Sequence, residues 1–268
     1  MTALAVGPFI FAGDRLAAVV AIVAFLGISA ILSARVDDRI GSWSLGALAI
    51  GIVAARAGHV LLNLSSFAVD PWRVLMVWQG GFSLPIGLVA AVAVSLFQLR
   101  EAPARIGSLG SLAAAILVWN IAFQLVASTT ALAAPSASMT TLSGSQLRLS
   151  DFAGRPVVVN LWASWCPPCR REMPTLMQTA KKRTNTAFVL ANQGEGAGAV
   201  VRFLSASGLS TDHVALDQDM ALARHYGVQG FPVTLFLNRK GVLQSVHFGE
   251  ISVEALNGAI DALQRDQN

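Results

Sequence analysis

The first 134 residues contain no lysine, seven arginines and five acidic residues. So little charge over such a length excludes an ordinary soluble domain, in which about a quarter of all residues are charged. The remaining 134 residues carry twelve Lys or Arg and ten Asp or Glu, which is an ordinary soluble composition. One chain is therefore written for two solvents.

A membrane span needs roughly 20 apolar residues and at least about 17. Four stretches qualify, at 16–34, 43–64, 82–99 and 106–132. Residues 1–132 are thus expected to form an all-α membrane domain of about four transmembrane helices. Arg35, Arg39, Arg100 and Arg105 lie in the loops on one side, against Arg15 and Arg73 on the other. The bias of positive charge toward the cytoplasm then places both chain ends across the inner membrane, in the periplasm or outside the cell. Trp72 and Trp78 suit the membrane–water boundary. Arg56 and His59, three apart on one helix face, are either functional intramembrane polar groups or an interfacial pair in which Arg56 meets Asp70.

Residues 133–138 read as a linker to a second domain over 139–268, and the "ALA" at 131–133 also resembles a signal-peptidase site. In that second domain, β-rich runs at 156–162, 186–192, 213–217, 232–238 and 243–249 alternate with helical patterns at 167–183, 197–208, 219–228 and 252–265. Alternation closing on a hairpin and a final helix indicates α/β with a mixed sheet. No basic run exceeds Lys181–Arg183, which argues against a nucleic-acid partner.

The chain has two cysteines, Cys166 and Cys169, in "WASWCPPCRREMP". A lone CxxC is half a zinc site or a redox pair, and the four histidines show no spacing that would complete a metal site. No metal and no cofactor are expected beyond a redox-active Cys166–Cys169 disulfide. Context favours redox chemistry: the motif follows a buried strand and opens a helix, so Cys166 sits where peptide dipoles favour a thiolate. Cys166 is the expected nucleophile, and Cys169, one turn later, the resolving thiol. With no cysteine in the spans, regeneration requires a separate electron donor, and the substrates are protein thiols or disulfides.

Two resemblances add to this reading. Residues 139–265, with "LSGSQLRLSDFAGRPVVVNLWASWCPPCRREMP", resemble the membrane-tethered thioredoxin-fold proteins of the TlpA/ResA type. The resemblance implies a thioredoxin fold, a disulfide reductase activity and a cis-proline at Pro232 within "GVQGFPVT". It also implies substrate contacts at Trp165, Pro167, Phe231 and Pro232. Thioredoxin's buried Asp falls at Asn160, and the family's inserted carboxylate falls at Glu195, the expected proton acceptor for Cys169. Separately, "ARAGHVLLN" and "DPWRVLMVWQGGFS" resemble the prolipoprotein diacylglyceryl transferase family. Pro85 stands where that family has a catalytically important histidine, and its later GRxGNFxN signature is missing, which leaves an anchor, a lipid contact or a partner platform. The competing readings are a disulfide-forming oxidant and a membrane scaffold or lipid-binding protein whose thioredoxin domain only docks partners.

Overall fold

In the computed structural model, which describes residues 3–6, 9–127 and 132–265, the apolar runs of the N-terminal half become helices. The chain divides into two units, residues 13–128 and, with the first twelve residues, 129–268. A short hairpin that periodicity did not indicate opens the chain, β1 (Ala3–Val6) pairing antiparallel with β2 (Phe9–Ala12).

The helical unit comprises α1 (Gly13–Arg35), α2 (Arg39–Leu62), α3 (Leu64–Val69), α4 (Leu84–Gln98) and α5 (Ala102–Ala127). Two 3-10 turns, Pro71–Leu75 and Val77–Gln79, lie between α3 and α4. Among the described residues, three helices are long and apolar enough to cross a membrane: Leu16–Arg35, Arg39–Leu62 and Ala102–Leu125. The stretch at 82–99 falls short of expectation, because α4 has 15 residues where a span needs about 17. Phe82 and Ser83 are drawn out of the helix: the Ser83 N–H donates to the Ala55 carbonyl at 2.9 Å, tying the entry of α4 to α2. The two helices approach through small residues, since a Cβ on Gly87 would lie 2.9 Å from the Gly51 carbonyl oxygen. Close backbone approach of this kind is how helices pack when an apolar solvent supplies no hydrophobic drive. Exposed Val23, Leu45, Val53, Val89 and Leu117 complete a surface suited to such a solvent.

The C-terminal unit is built on a seven-stranded sheet in the order β4-β3-β7-β6-β5-β8-β9. These strands are β3 (Ser138–Thr141), β4 (Gln146–Arg148), β5 (Val157–Trp162), β6 (Ala187–Gln193), β7 (Val214–Asp217), β8 (Val233–Leu237) and β9 (Leu243–Phe248). Strands β5, β6 and β7 run parallel, while β8 is antiparallel to β5 and β9 to β8. The helices are α6 (Pro167–Lys182), α7 (Ala197–Ala206), α8 (Ala221–His225) and α9 (Val253–Arg265). Because strand side chains alternate between faces, β5 feeds two cores. Val158 and Trp162 pack with Met173 and Leu176 of α6, Val200 of α7 and Ile260 of α9. Val157, Val159 and Leu161 pack on the other face with Leu222 and Ala223 of α8. Ser252 caps α9 as its position suggests, accepting the Ala255 N–H at 3.2 Å.

The expected linker is partly structured. Leu132 accepts the Leu243 N–H at 2.9 Å and Ala134 donates to Gly241 at 2.8 Å, so the segment adds to β9. An edge strand has unpaired backbone groups on one side, and here the tether takes up those at its start, at Gly241 and Leu243. The "ALA" motif starts at Ala131, outside the described residues, and ends within this pairing at Ala133.

Candidate active site

The site forms where β5 ends. Val157 to Trp162 are buried throughout, and the chain then turns through Ala163–Trp165 into α6. Cys166 is the N-cap residue, and its Sγ accepts the Cys169 N–H at 3.3 Å, the role a Ser or Asp oxygen fills at most helix starts. Pro167 and Pro168 occupy the first turn, where no N–H is needed for the helix ladder. Cys166 and Cys169 form a disulfide. Cys166 retains 3% exposure and Cys169 none, so an incoming group reaches Cys166 first. When the bond is reduced, the free N–H groups and the dipole of α6 favour a thiolate at Cys166.

Leu161 of β5 pairs with Val233 of β8, and because these strands are antiparallel the start of β8 lies beside the end of β5. That register brings "FP" to the CxxC. The Phe231–Pro232 peptide bond is cis. The Phe231 ring centroid is 6.2 Å from that of Trp165, which is 66% exposed despite its size. Trp165 and Phe231 thus form an aromatic pair, Trp165 directly preceding Cys166 and Phe231 directly preceding Pro232.

Two carboxyl groups flank the centre. Glu195 follows β6, and its oxygens accept the Ser164 N–H at 2.6 Å, the Ser164 hydroxyl at 2.6 Å and the Asn192 amide at 2.7 Å. It holds the loop two residues before Cys166; no hydrogen bond joins it to Cys169. Glu172, one turn beyond Cys169, escaped the sequence reading. It is 2% exposed and accepts the Asn160 amide and the Ile251 N–H, each at 2.8 Å. Burial pushes its carboxyl from the usual 4.5 up to about 8, Glu250 adding to the rise, while the bonds from Ile251 and Asn160 and the charge of Arg171 oppose it. Asn160, at the position of thioredoxin's Asp, also donates to Thr234 at 3.0 Å. The carboxyl is therefore carried on α6 and oriented by β5. A signal existed: Glu172 interrupts the apolar stripe Cys169, Met173, Leu176 and Ala180 of α6. Among the described residues no group of three or more His, Cys, Asp or Glu could hold a metal ion.

A parallel β5-β6 core, a disulfide capping the following helix and an adjoining cis-proline define a thioredoxin-like thiol–disulfide oxidoreductase. The Redoxin family model matches residues 129–261. A thioredoxin-like protein, YneN of Bacillus subtilis, is 32% identical over 131 residues, covering 48% of this chain and 76% of that one. Thiol-disulfide oxidoreductase ResA of Bacillus anthracis is 30% identical over 127 residues, covering 47% of this chain and 73% of that one. A solved structure of a thiol:disulfide interchange protein, DsbE from Chlorobium tepidum, matches with a TM-score of 0.46 and 30% identity over 50% of this chain and 96% of that one. The chain belongs, through its C-terminal half, to this redoxin family of thioredoxin-like thiol–disulfide oxidoreductases.

Proposed function

We propose that this protein is a membrane-anchored, extracytoplasmic disulfide reductase. The observation that carries the redox reading is Cys166 at the N-cap of α6, the less buried partner of a disulfide and directly preceded by the exposed Trp165. The reduced Cys166 thiolate attacks a substrate disulfide, forming a mixed disulfide and releasing one substrate thiolate. Cys169 then gives up its proton and attacks Cys166, releasing the second substrate thiol and closing the Cys166–Cys169 disulfide. Two electrons pass to the substrate. A separate dithiol donor must restore them, since the helices contain no cysteine.

Glu172 is the better placed proton carrier for Cys169. Its carboxyl, near 8, is matched to a thiol close to neutral pH. In the disulfide form it holds the proton that the Cys169 thiolate takes up when the donor reduces the bond; on substrate reduction the proton returns. Glu195 serves instead as a positioning residue for the Ser164–Cys166 loop, and Trp165, Pro167, Phe231 and Pro232 contact substrate.

The helical half anchors this machinery, with Trp72 and Trp78 of the 71–79 segment, 73% and 55% exposed, at the membrane boundary. The stretch that resembles the lipoprotein transferases acts as anchor or partner platform. Trapping thiols in growing cells tests direction: a largely reduced Cys166–Cys169 pair supports a reductase, and a largely oxidised pair makes the protein an oxidant. A membrane-impermeant thiol reagent that labels reduced Cys166 only after lysis would reverse the topology.

A further inference from the structure

Beside the disulfide lies a shallow pocket of about 390 Å³ lined by Pro167, Arg170, Arg171, Phe203 and Ser207. Pro167 directly follows Cys166 and also lines this pocket, so the pocket is within reach of a polypeptide whose sulfur is bound to Cys166. The two cations differ. Arg171 is paired with Glu250 at 2.7 Å. Arg170 lies with its guanidinium carbon 5.4 Å from the centroid of the Phe203 ring, and among the described residues no carboxylate is within ion-pair reach of it. Phe203 is braced from behind by buried Trp162, ring centroids 5.6 Å apart. A guanidinium stacked on a ring keeps its planar fork of N–H donors pointing outward, in the geometry that fits a carboxylate.

We infer that Arg170, held on Phe203, is a specificity-determining residue that selects substrates carrying an Asp or Glu close to the attacked cysteine. The inference rests on the oxidoreductase reading above and adds the chemical class of substrate. A lysine near the cysteine would meet Arg170 as a like charge, and an apolar side chain would find the open face of Phe203 covered.

The test uses the full chain in lipid nanodiscs and two amidated peptide disulfides, each a symmetric dimer, with Asp or Lys two residues from the cysteine. One exposed charge contact is worth up to about fivefold, so attraction and repulsion together should give roughly a tenfold preference for the Asp peptide in kcat/KM. The difference should lie mainly in KM and shrink at about 0.5 M salt, where the Debye length falls below roughly 5 Å. R170E should invert the preference, while R170K, which keeps the charge, should retain it. Equal rates for both peptides with the wild-type protein, or an unchanged preference in R170E, would overturn the inference. Hydroxyethyl disulfide, which is small and neutral, separates the two levels. Its reduction without any peptide preference sinks only the role of Arg170. Failure to reduce it or either peptide sinks the oxidoreductase reading itself, and this inference with it.

Discussion

Arg56 in the helical unit and Glu172 beside the disulfide are both buried, and the fold accommodates them in opposite ways. Arg56 keeps its charge, because a guanidinium does not give up its proton in a protein. The surrounding backbone is shaped to receive it. Its nitrogens donate to the carbonyls of Arg73 at 2.6 Å, Val74 at 3.1 Å, Gly80 at 2.7 Å and Gly81 at 3.0 Å. The rings of Phe67 and Phe82 lie 5.5 and 5.8 Å from its guanidinium carbon. Gly80 and Gly81 have φ of 77° and 84°, a conformation that costs glycine little. A Cβ on Gly81 would also come within 2.7 Å of His59 Nε2 and 3.0 Å of Arg56 Nη1. Glu172 needs no such cage: it can be neutralised by a proton, so two donors and burial suffice. Permanent charge thus organises structure, while a removable charge is available for chemistry.

The widest gap between the two units should open with Cys166→Ser. Insulin reduction should be abolished, while the helical unit keeps its stability. Cys169→Ser should instead accumulate mixed disulfides on non-reducing gels; if it traps nothing and the Cys166 variant stays active, the order of attack is reversed. Next in size, Arg56→Met should leave four part-buried carbonyls without their donor, at a cost of roughly 3 kcal/mol or more. Limited proteolysis should then cut the 71–81 segment faster. An equally protected segment would mean that the carbonyl cage is not what holds it.

Glu172→Gln sharpens the other side. Loss of general acid–base help should slow exchange by about 100-fold, with a change in the shape of the pH–rate profile around pH 8. Stability follows the same group. A carboxyl raised from 4.5 to about 8 binds its proton more tightly folded than unfolded, so its contribution is complete below pH 4.5 and is lost as pH rises toward 8. Hydrogen exchange of β5 amides in the full chain should show a decline of at most about 1.4 kcal/mol per pH unit in that window, absent from the Gln variant. A parallel decline in both would clear Glu172 of the effect. The smallest change is expected from Glu195→Gln. Weakening charge-assisted bonds to Ser164 should cost about 1–2 kcal/mol and slow exchange without moving the pH profile. A moved profile would return the proton to Glu195.

Much of the C-terminal unit was legible because its signals are local. The runs at 156–162 and 186–192 became β5 and β6 to within a residue at each end, and "CPPC" announced the start of α6. Buried strands of this kind are continuous apolar runs, and a cysteine pair at a strand–helix junction has few structural uses. The span at 82–99 was read too long for the opposite reason. Hydropathy records that a segment is apolar, whereas where α4 begins depends on Ser83 bonding to Ala55, 28 positions back in the chain. The tether at 132–134 was similarly invisible, since its partners are Gly241, Val242 and Leu243.

The amino-acid sequence by itself determined the division into a charge-poor, apolar half and an ordinarily charged half, the alternation of strands and helices, and the position of a redox pair behind an aromatic residue. These depend on composition and on spacing over a few residues, which no partner elsewhere can alter. Tertiary structure alone decided the surroundings of the two carboxyls near that pair. Burial pushes the Glu172 carboxyl up to about 8, against the bonds it accepts from the Ile251 N–H, 79 positions away, and from Asn160 on β5. Glu195 is drawn to Ser164, 31 positions before it, and becomes a brace. A proton affinity is set by desolvation and by neighbours brought in from distant parts of the chain, so it exists only once the chain has folded.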